Sequence, residues 1–452
     1  MKKIVRTISG ITPLAVMLKP WPCPHGKCDY CPTYPGVPES YTPTSPVALR
    51  AIECGYDPVK QVNARLKIMG LMGHISDKIE LIVMGGTFTA YPIEYQREFV
   101  KGCFDGMNGT AAASLDEAKK NNETAKHRCV AMCLETRPDW CGKKEINEML
   151  DLGATRVEIG VQTLDDAAQR ETHRGHGTDE TVKATQLLKD SCFKVGYHMM
   201  LGLPGATPES DVAMFRTLFN DERFQPDQIK IYPTFVIKGT PLEKKFLKGE
   251  FVPYTTEQIV DTIAKIKQSI PPYVRIMRVM RDIPAQYIAS ECKYSHLRDA
   301  VKERLGSLGA HCGCIRCREV GHALRTGKTT GKMELQRIDY KASGGREIFL
   351  SFEGEALASL LRLRLPGKTF RPELADAALV REIHTFGPQT AIGTEGDYWQ
   401  HKGYGRRLMA EAERISKEAG YGKMAVIAGV GVREYFYKLG YAPDGPYVSK
   451  QL

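Results

Sequence analysis

At 452 residues the chain is too long for one ordinary hydrophobic core, and two or three domains are expected. With 42% hydrophobic and 26% charged residues the composition is globular, and no apolar run reaches the length of a bilayer span, which sets aside disordered and membrane-spanning classes. The net charge of +10 favours an anionic partner such as RNA. The opening residues Met1 to Arg6 lack the continuous apolar core of a secretion signal, so a cytoplasmic protein is expected. Of the 13 cysteines, two tight clusters point to metal ligation in a reducing compartment. Cys54, Cys103, Cys129, Cys133, Cys141 and Cys192 read as small core or surface residues.

In chain order, Ile11, Leu14, Val16 and Leu18 alternate with smaller or polar neighbours, predicting a strand between Arg6 and Lys19. It delivers the chain to Trp21-Pro-Cys-Pro-His-Gly-Lys-Cys-Asp-Tyr-Cys-Pro32, where Cys23, Cys28 and Cys31 form C-x4-C-x2-C. Four cysteines close a [4Fe–4S] cluster or a structural zinc site, whereas three leave one metal corner for an exogenous ligand. Gly26 permits a sharp turn, and Pro22, Pro24 and Pro32 keep the loop out of helix and strand. A zinc knuckle completed by His25 or a distant residue is the alternative.

A Pro/Ser/Thr loop, Pro43 to Ala48, leads to a predicted helix from Pro58 to Gly73. The apolar strand starting at Lys78 ends in Gly85-Gly86-Thr87, leaving bare backbone at a strand's carboxyl end, where ligands bind in parallel sheets. The unit then repeats. Strands at Cys129–Pro138, ending in Glu135, Thr136 and Arg137, at Thr155–Gln162, at Lys194–Pro204 with its turn, and at Gln228–Pro233 alternate with helices at Ile146–Leu152 and Val182–Leu188. Such alternation implies an α/β fold with a parallel sheet, a partial (β/α)6 barrel. Sites on these sheets gather at strand carboxyl ends, which makes Glu135, Arg137, Gln162, His198 and Lys230 pocket candidates. The polar loop His173-Arg-Gly-His176 after the Thr155–Gln162 strand could serve RNA, SAM or nothing.

The chain then turns basic at Lys238, Lys244, Lys245 and Lys248, ahead of a helix predicted over Glu257–Ile270. Arg275, Arg278 and Arg281 recur every third residue and are candidates to line one edge facing RNA phosphates; a solvated face is the plain alternative. In His311-Cys-Gly-Cys-Ile-Arg-Cys317, the residues Cys312, Cys314 and Cys317 read as a zinc staple with His311, Cys292 or water as fourth ligand. Beyond a Gly/Lys/Thr-rich stretch, strands are predicted at Glu347–Phe352, Leu360–Leu365 and Ala377–His384. The segment Gln400-His-Lys-Gly-Tyr-Gly-Arg-Arg407 opens a helix running to about Ala419. Its unpaired amides and positive dipole suit a pyrophosphate.

The cysteine loop, read with Met84-Gly-Gly-Thr-Phe88, resembles the radical S-adenosylmethionine (SAM) half of the Elongator catalytic subunit family. Most radical SAM enzymes show C-x3-C-x2-C; the extra residue is what this branch has. The resemblance implies that Cys23, Cys28 and Cys31 hold a 4Fe-4S cluster. It implies that Gly85, Gly86 and Thr87 meet the SAM amino group, and that Glu135 and Gln162 lie beside its ribose and adenosine. It also implies zinc at Cys312, Cys314 and Cys317 in a linker. Q-x-K-G-x-G resembles the acetyl-CoA loop of GNAT-type acetyltransferases, which implies cofactor contacts from Gln400, Lys402, Gly403, Tyr404 and Gly405. Tyr435 aligns with the tyrosine at the acetyl end of that tunnel. The family usually has two tyrosines there, so Phe436 leaves a second hydroxyl missing or supplied by Tyr437.

The expected organisation is a radical SAM domain at 1–290, a zinc-binding linker at 291–340 and a GNAT-like domain with a mixed sheet at 341–452. The implied activity is carboxymethylation of the tRNA wobble uridine at C5: a SAM-derived radical takes hydrogen from the acetyl-CoA methyl group, the carbon adds to uridine, and thioester hydrolysis follows. Tyr435 and Lys230 are the expected catalytic residues, Lys230 for acetyl positioning or hydrolysis. The rivals are a protein-lysine acetyltransferase with a structural cluster and a non-catalytic tRNA scaffold. A homodimer is compatible with the resemblance, and accessory subunits are left open. Family members carry a basic, tRNA-binding segment before the first strand; its absence here, by trimming or by nature, predicts weaker RNA affinity.

Overall fold

The computed structural model describes residues 7–290, 296–325, 327, 329–394 and 399–452. Cys292, one candidate for the fourth zinc ligand, lies outside them. The first half is a seven-stranded sheet in sequential order: β1 (Thr12–Met17), β2 (Lys78–Met84), β3 (Arg128–Thr136), β4 (Arg156–Gln162), β5 (Lys194–Leu201), β6 (Gln228–Pro233) and β7 (Arg275–Arg278). Every neighbouring pair is parallel, which confirms the partial barrel. The sheet has one strand more than the six expected, because the arginine-bearing segment Arg275–Arg278 pairs with β6.

Helices cover the outer face. Pro58–Leu71 is capped by Asp57, whose carboxylate accepts from the Lys60 amide at 2.8 Å, and it lies against Ile93–Asn108. The two approach closely because a Cβ at Gly102 or Gly106 would meet Pro58 or Val62 at 2.5 and 2.9 Å. The inner face is polar. In β4, Val157, Ile159 and Val161 enter the hydrophobic core, while Arg156, Glu158, Gly160 and Gln162 alternate with them and face the lumen.

The second sheet has the order β13 (Ala442–Asp444), β14 (Tyr447–Gln451), β12 (Lys423–Val426), β11 (Ala377–Thr385), β10 (Leu357–Leu365), β9 (Gly345–Glu353) and β8 (Glu334–Ala342). It is mixed: β11 and β12 run parallel, the other pairs antiparallel. After a short helix at Arg433–Tyr437, the chain ends in the strands Ala442–Asp444 and Tyr447–Gln451.

The halves are joined by buried charges. The Arg381 guanidinium donates to both carboxylate oxygens of Asp227 at 2.6 and 2.7 Å and to Glu347 at 2.6 Å. Arg364 donates to Asp190 and Glu347, and Arg362 to Glu382 and the Tyr273 carbonyl. Burial lowers Lys189, which sits beside this network, to about 8. Buried pairs of this kind fix registry more than they add stability, since desolvation offsets much of their attraction.

The arginine stripe needs correction. Arg275 is buried and paired with Glu319 at 2.6 Å, so it does not face solvent phosphates. Positions three apart in a strand point to opposite faces, so Arg278 turns to the other side, where it pairs with Asp282, and Arg281 donates to the Ser40 carbonyl. Only the last two share an edge.

Candidate active site

The carboxyl ends of β2 to β6 and the cysteine loop enclose a cavity of about 180 Å³. Cys23, Cys28 and Cys31 line it with Gly85, Gly86, Thr87, Glu135, Arg137, Gln162, Arg174, His198 and Lys230. All five pocket candidates from the sequence therefore converge. The neutral ring of His25, lowered to about 4 by burial and by Arg137, lies between Cys23 and Cys28 at 3.1 and 3.2 Å from their sulfurs. Arg137 donates to its Nδ1 at 2.8 Å, and Arg174 reaches Cys28 Sγ at 3.8 Å while also donating to the Gly160 carbonyl. Burial raises the Cys23 thiol and pushes Cys31 up to about 12. Two buried guanidiniums beside three thiols supply the positive surroundings an anionic thiolate cluster requires.

Gly85 and Gly86 have φ of +135° and +101°. A Cβ at Gly85 would strike Leu18 at 2.9 Å, whereas one at Gly86 meets nothing within 4 Å, so Gly86 offers open backbone to the cavity. Gln162 also takes a left-handed φ, +71°, at the end of β4. The donor set and this open strip fit a cluster with SAM beside it. The His173 ring bonds Asp29 at 2.8 Å and His176 approaches the Gly160 carbonyl at 3.3 Å, so that loop braces the cysteine segment. Arg174 and Tyr41 are site residues that sequence reasoning did not assign: Arg174 belongs to the polar loop 173–176, whose role the sequence leaves open, and nothing in the local pattern marks Tyr41.

A chain of charges descends from this cavity through the lumen. Tyr41 Oη donates to Glu135 at 3.1 Å, and Lys230 binds Glu135 at 3.0 Å and also Glu158. Glu158 accepts from His198 at 2.8 Å and faces Arg156 at 3.4 Å; Arg156 donates to Glu80 at 2.5 Å. Lys230 and Arg156 hold Glu158 well below the usual carboxylate range against its burial.

At the amino ends of the same strands lies a cavity of about 590 Å³, closed by the second sheet. The β11–β12 pairing stops at Val380 and Val426, while β11 continues to Thr385 beside β10. The strands thus splay, and the helix Tyr404–Glu418 starts at the opening. Gly403 is its N-cap at φ +82°, and Gly405 lies so near Tyr435 that a Cβ would come within 2.8 Å of the hydroxyl. Gln400, Gly403, Tyr404, Gly405, Tyr435 and Phe436 all line this cavity. The Gln400 amide is taken up by protein: it accepts from Lys78 at 2.8 Å and Thr390 at 3.0 Å and donates to the Gly10 and Thr385 carbonyls. Lys402 is exposed in the adjoining loop. Tyr437 is not among the lining residues and stands by Glu123. Lys230 belongs to the first cavity, away from Tyr435.

The sulfurs of Cys312, Cys314 and Cys317 lie within 4.8 Å of one another. Such a convergent trio suits one tetrahedral ion.

Residues 22–218 match the radical SAM superfamily, and residues 226–306 match the radical SAM C-terminal domain. The whole chain is 52% identical to the tRNA uridine(34) acetyltransferase of Dehalococcoides mccartyi (strain CBDB1), covering 100% of both. It is 41% identical to Elongator complex protein 3 of Homo sapiens, over 100% of this chain and 86% of that one. The archaeal Methanocaldococcus infernus Elp3 with N-terminus deletion (1-46) superposes with a TM-score of 0.88 at 46% identity, covering 99% of this chain and 100% of that one. The chain belongs to the family of tRNA uridine(34) acetyltransferases and Elongator complex protein 3. Superfamily membership implies a 4Fe-4S cluster and SAM. Among the described residues no helix is long and apolar enough to cross a membrane.

Proposed function

We propose that this family member carboxymethylates the tRNA wobble uridine at C5, using acetyl-CoA and a SAM-derived radical. The observation that carries the reading is the pair of cavities at opposite ends of one set of strands, one with three thiols and an open glycine strip, the other with a glycine-led helix and a tyrosine. A cluster on Cys23, Cys28 and Cys31 supplies one-electron cleavage of SAM when both are bound. Around it, the Gly85–Thr87 backbone receives the SAM amino group, and Glu135 and Gln162 orient the ribose and adenosine. Lys230 holds Glu135 in place and can act on an acetyl unit only once that unit reaches the first cavity. Enclosure by Tyr41, Arg137 and Arg174 excludes water, which a carbon radical would otherwise meet with competing hydrogen donors.

At the far end, in a GNAT-like unit, the amides of Gly403 to Arg406 and the Lys402 ammonium receive the CoA pyrophosphate. Burial raises the Tyr435 hydroxyl, so it stays protonated and donates to the thioester or its thiolate. Arg278 and Arg281, at the rim of the first cavity, face RNA phosphate. Cys312, Cys314 and Cys317 hold zinc in the linker between a first domain at 1–290 and a last at 341–452.

The test is anaerobic incubation of cluster-reconstituted protein with SAM, a reductant, acetyl-CoA and tRNA, followed by nucleoside mass analysis. Carboxymethylated uridine is expected, and Cys28→Ala abolishes it while tRNA binding persists. Modification that survives Cys28→Ala sinks the radical route, and protein acetylation without SAM or tRNA installs the acetyltransferase rival.

A further inference from the structure

The mouth of the first cavity carries an aromatic stack that the mechanism above leaves unused. Trp21 is 37% exposed and lies on Tyr91 with ring centroids 5.6 Å apart; Tyr91 stacks on Tyr95 at 5.4 Å, and Tyr95 leans on Phe99. The lower rings are fixed. Tyr91 Oη donates to the Lys19 and Gly85 carbonyls at 2.8 and 3.2 Å, and Tyr95 Oη accepts from the Lys19 amide at 3.0 Å. The Lys19 ammonium sits 4.4 Å from the Tyr95 centroid and 5.9 Å from that of Trp21, and Lys27 is exposed farther along the same loop.

We propose that Trp21 is a stacking platform for an RNA base flanking the uridine that enters the cavity, with Lys19 and Lys27 neutralising the adjoining phosphates. The inference rests on the wobble-uridine reading. An exposed indole with a rigid aromatic backing loses little freedom when a base covers it, and every base has a π-face to offer. Its position two residues before Cys23, on the rim lined by Pro22 and Tyr91, lets a base stay outside while its neighbour goes in. A core role is set aside by its exposure.

The test uses cluster-reconstituted protein and a synthetic anticodon stem-loop RNA with uridine at the wobble position, read by fluorescence anisotropy. Stacking is worth about 1–3 kcal/mol per base, so Trp21→Ala is expected to weaken binding roughly 5- to 150-fold, and Trp21→Phe to recover most of it. An abasic residue on one side of the wobble uridine weakens binding to the native protein but not to Trp21→Ala. Unchanged affinity in Trp21→Ala overturns the platform while leaving the wobble-uridine reading standing. That reading fails separately if the native protein neither binds this RNA nor modifies tRNA. The adenine of SAM is the other ring that could lie here. Equilibrium dialysis decides: SAM affinity that falls in Trp21→Ala, with RNA affinity kept, overturns the proposal.

Discussion

The two cavities share four strands and no side chain. At the carboxyl end of β2 to β6, the walls are ionisable groups already paired: Lys230 with two carboxylates, His198 with Glu158, Arg137 with Asp139. At the amino end, the wall around the helix start is Ile383, Val426, Ile427 and Phe436 with glycine backbone, and the charges, Arg156 with Glu80 and Lys194 with Glu382, keep to the strand side. The first end is therefore organised by charge throughout, and the second by shape where its helix begins. The lumen joins them through an unbroken line of contacts from Tyr41 to Glu80. This difference dictates which substitutions each end tolerates.

The largest expected effect breaks the charge-organised end. Lys230→Met leaves Glu135 and Glu158 facing one another without their shared cation, and removing one partner of a buried pair typically costs about 3–5 kcal/mol. Glu158 keeps His198 and Arg156, so the loss should fall at the low side of that range. Denaturant unfolding measures it. A loss below about 1 kcal/mol would show that these charges are solvated and that the contrast between the ends is false.

A smaller effect comes from the turn after β5. Asp211 accepts from the Gly202 amide at 2.8 Å and from Tyr254 Oη at 2.9 Å, and burial raises its carboxyl to about 6. The folded chain then binds this proton more tightly than the unfolded chain does. Stability from this group is complete below the unfolded value of about 4 and is lost as pH rises through 6, about 3 kcal/mol at ~1.4 kcal/mol per pH unit. Asp211→Asn keeps one oxygen to accept both bonds, so its unfolding free energy should lack that slope between about pH 4 and 6. Equal slopes in both proteins would remove Asp211 from the account.

What was legible in the sequence tracks how local the cause is. The parallel repeat could be read because each strand is a short apolar run ending in polar or glycine residues, and both cysteine clusters because their thiols lie close along the chain. Gly85, Gly86, Glu135, Gln162, His198 and Lys230 were found through a rule about strand ends. The strand at Arg275 was hidden by its four residues, two of them arginine, and Glu334–Ala342 by its exposed, charged first half, since only Ile338, Tyr340 and Ala342 turn an apolar face to the core. Arg174, Tyr41 and Arg156 become site residues only through contacts far along the chain, which no window of sequence contains. Gln400 was read as a cofactor contact, yet its amide ties β2 to the second sheet through Lys78 and Thr385.

The smallest effect tests the shape-organised end. Gly405→Val places branched carbon where Tyr435 Oη already stands 2.8 Å from an ideal Cβ and Ile383 Cδ1 stands at 3.6 Å. Overpacking of this order costs about 1–3 kcal/mol, roughly 5- to 150-fold in acetyl-CoA affinity by calorimetry. Formation of 5′-deoxyadenosine from SAM, measured without acetyl-CoA or RNA, should match the native protein, since no side chain of the first cavity touches Gly405. Cys28→Ala should give the reciprocal result, acetyl-CoA bound normally and SAM uncleaved. If either lesion damages both half-reactions, the ends are not independent, and the lumenal line from Glu80 to Tyr41 transmits the change between them.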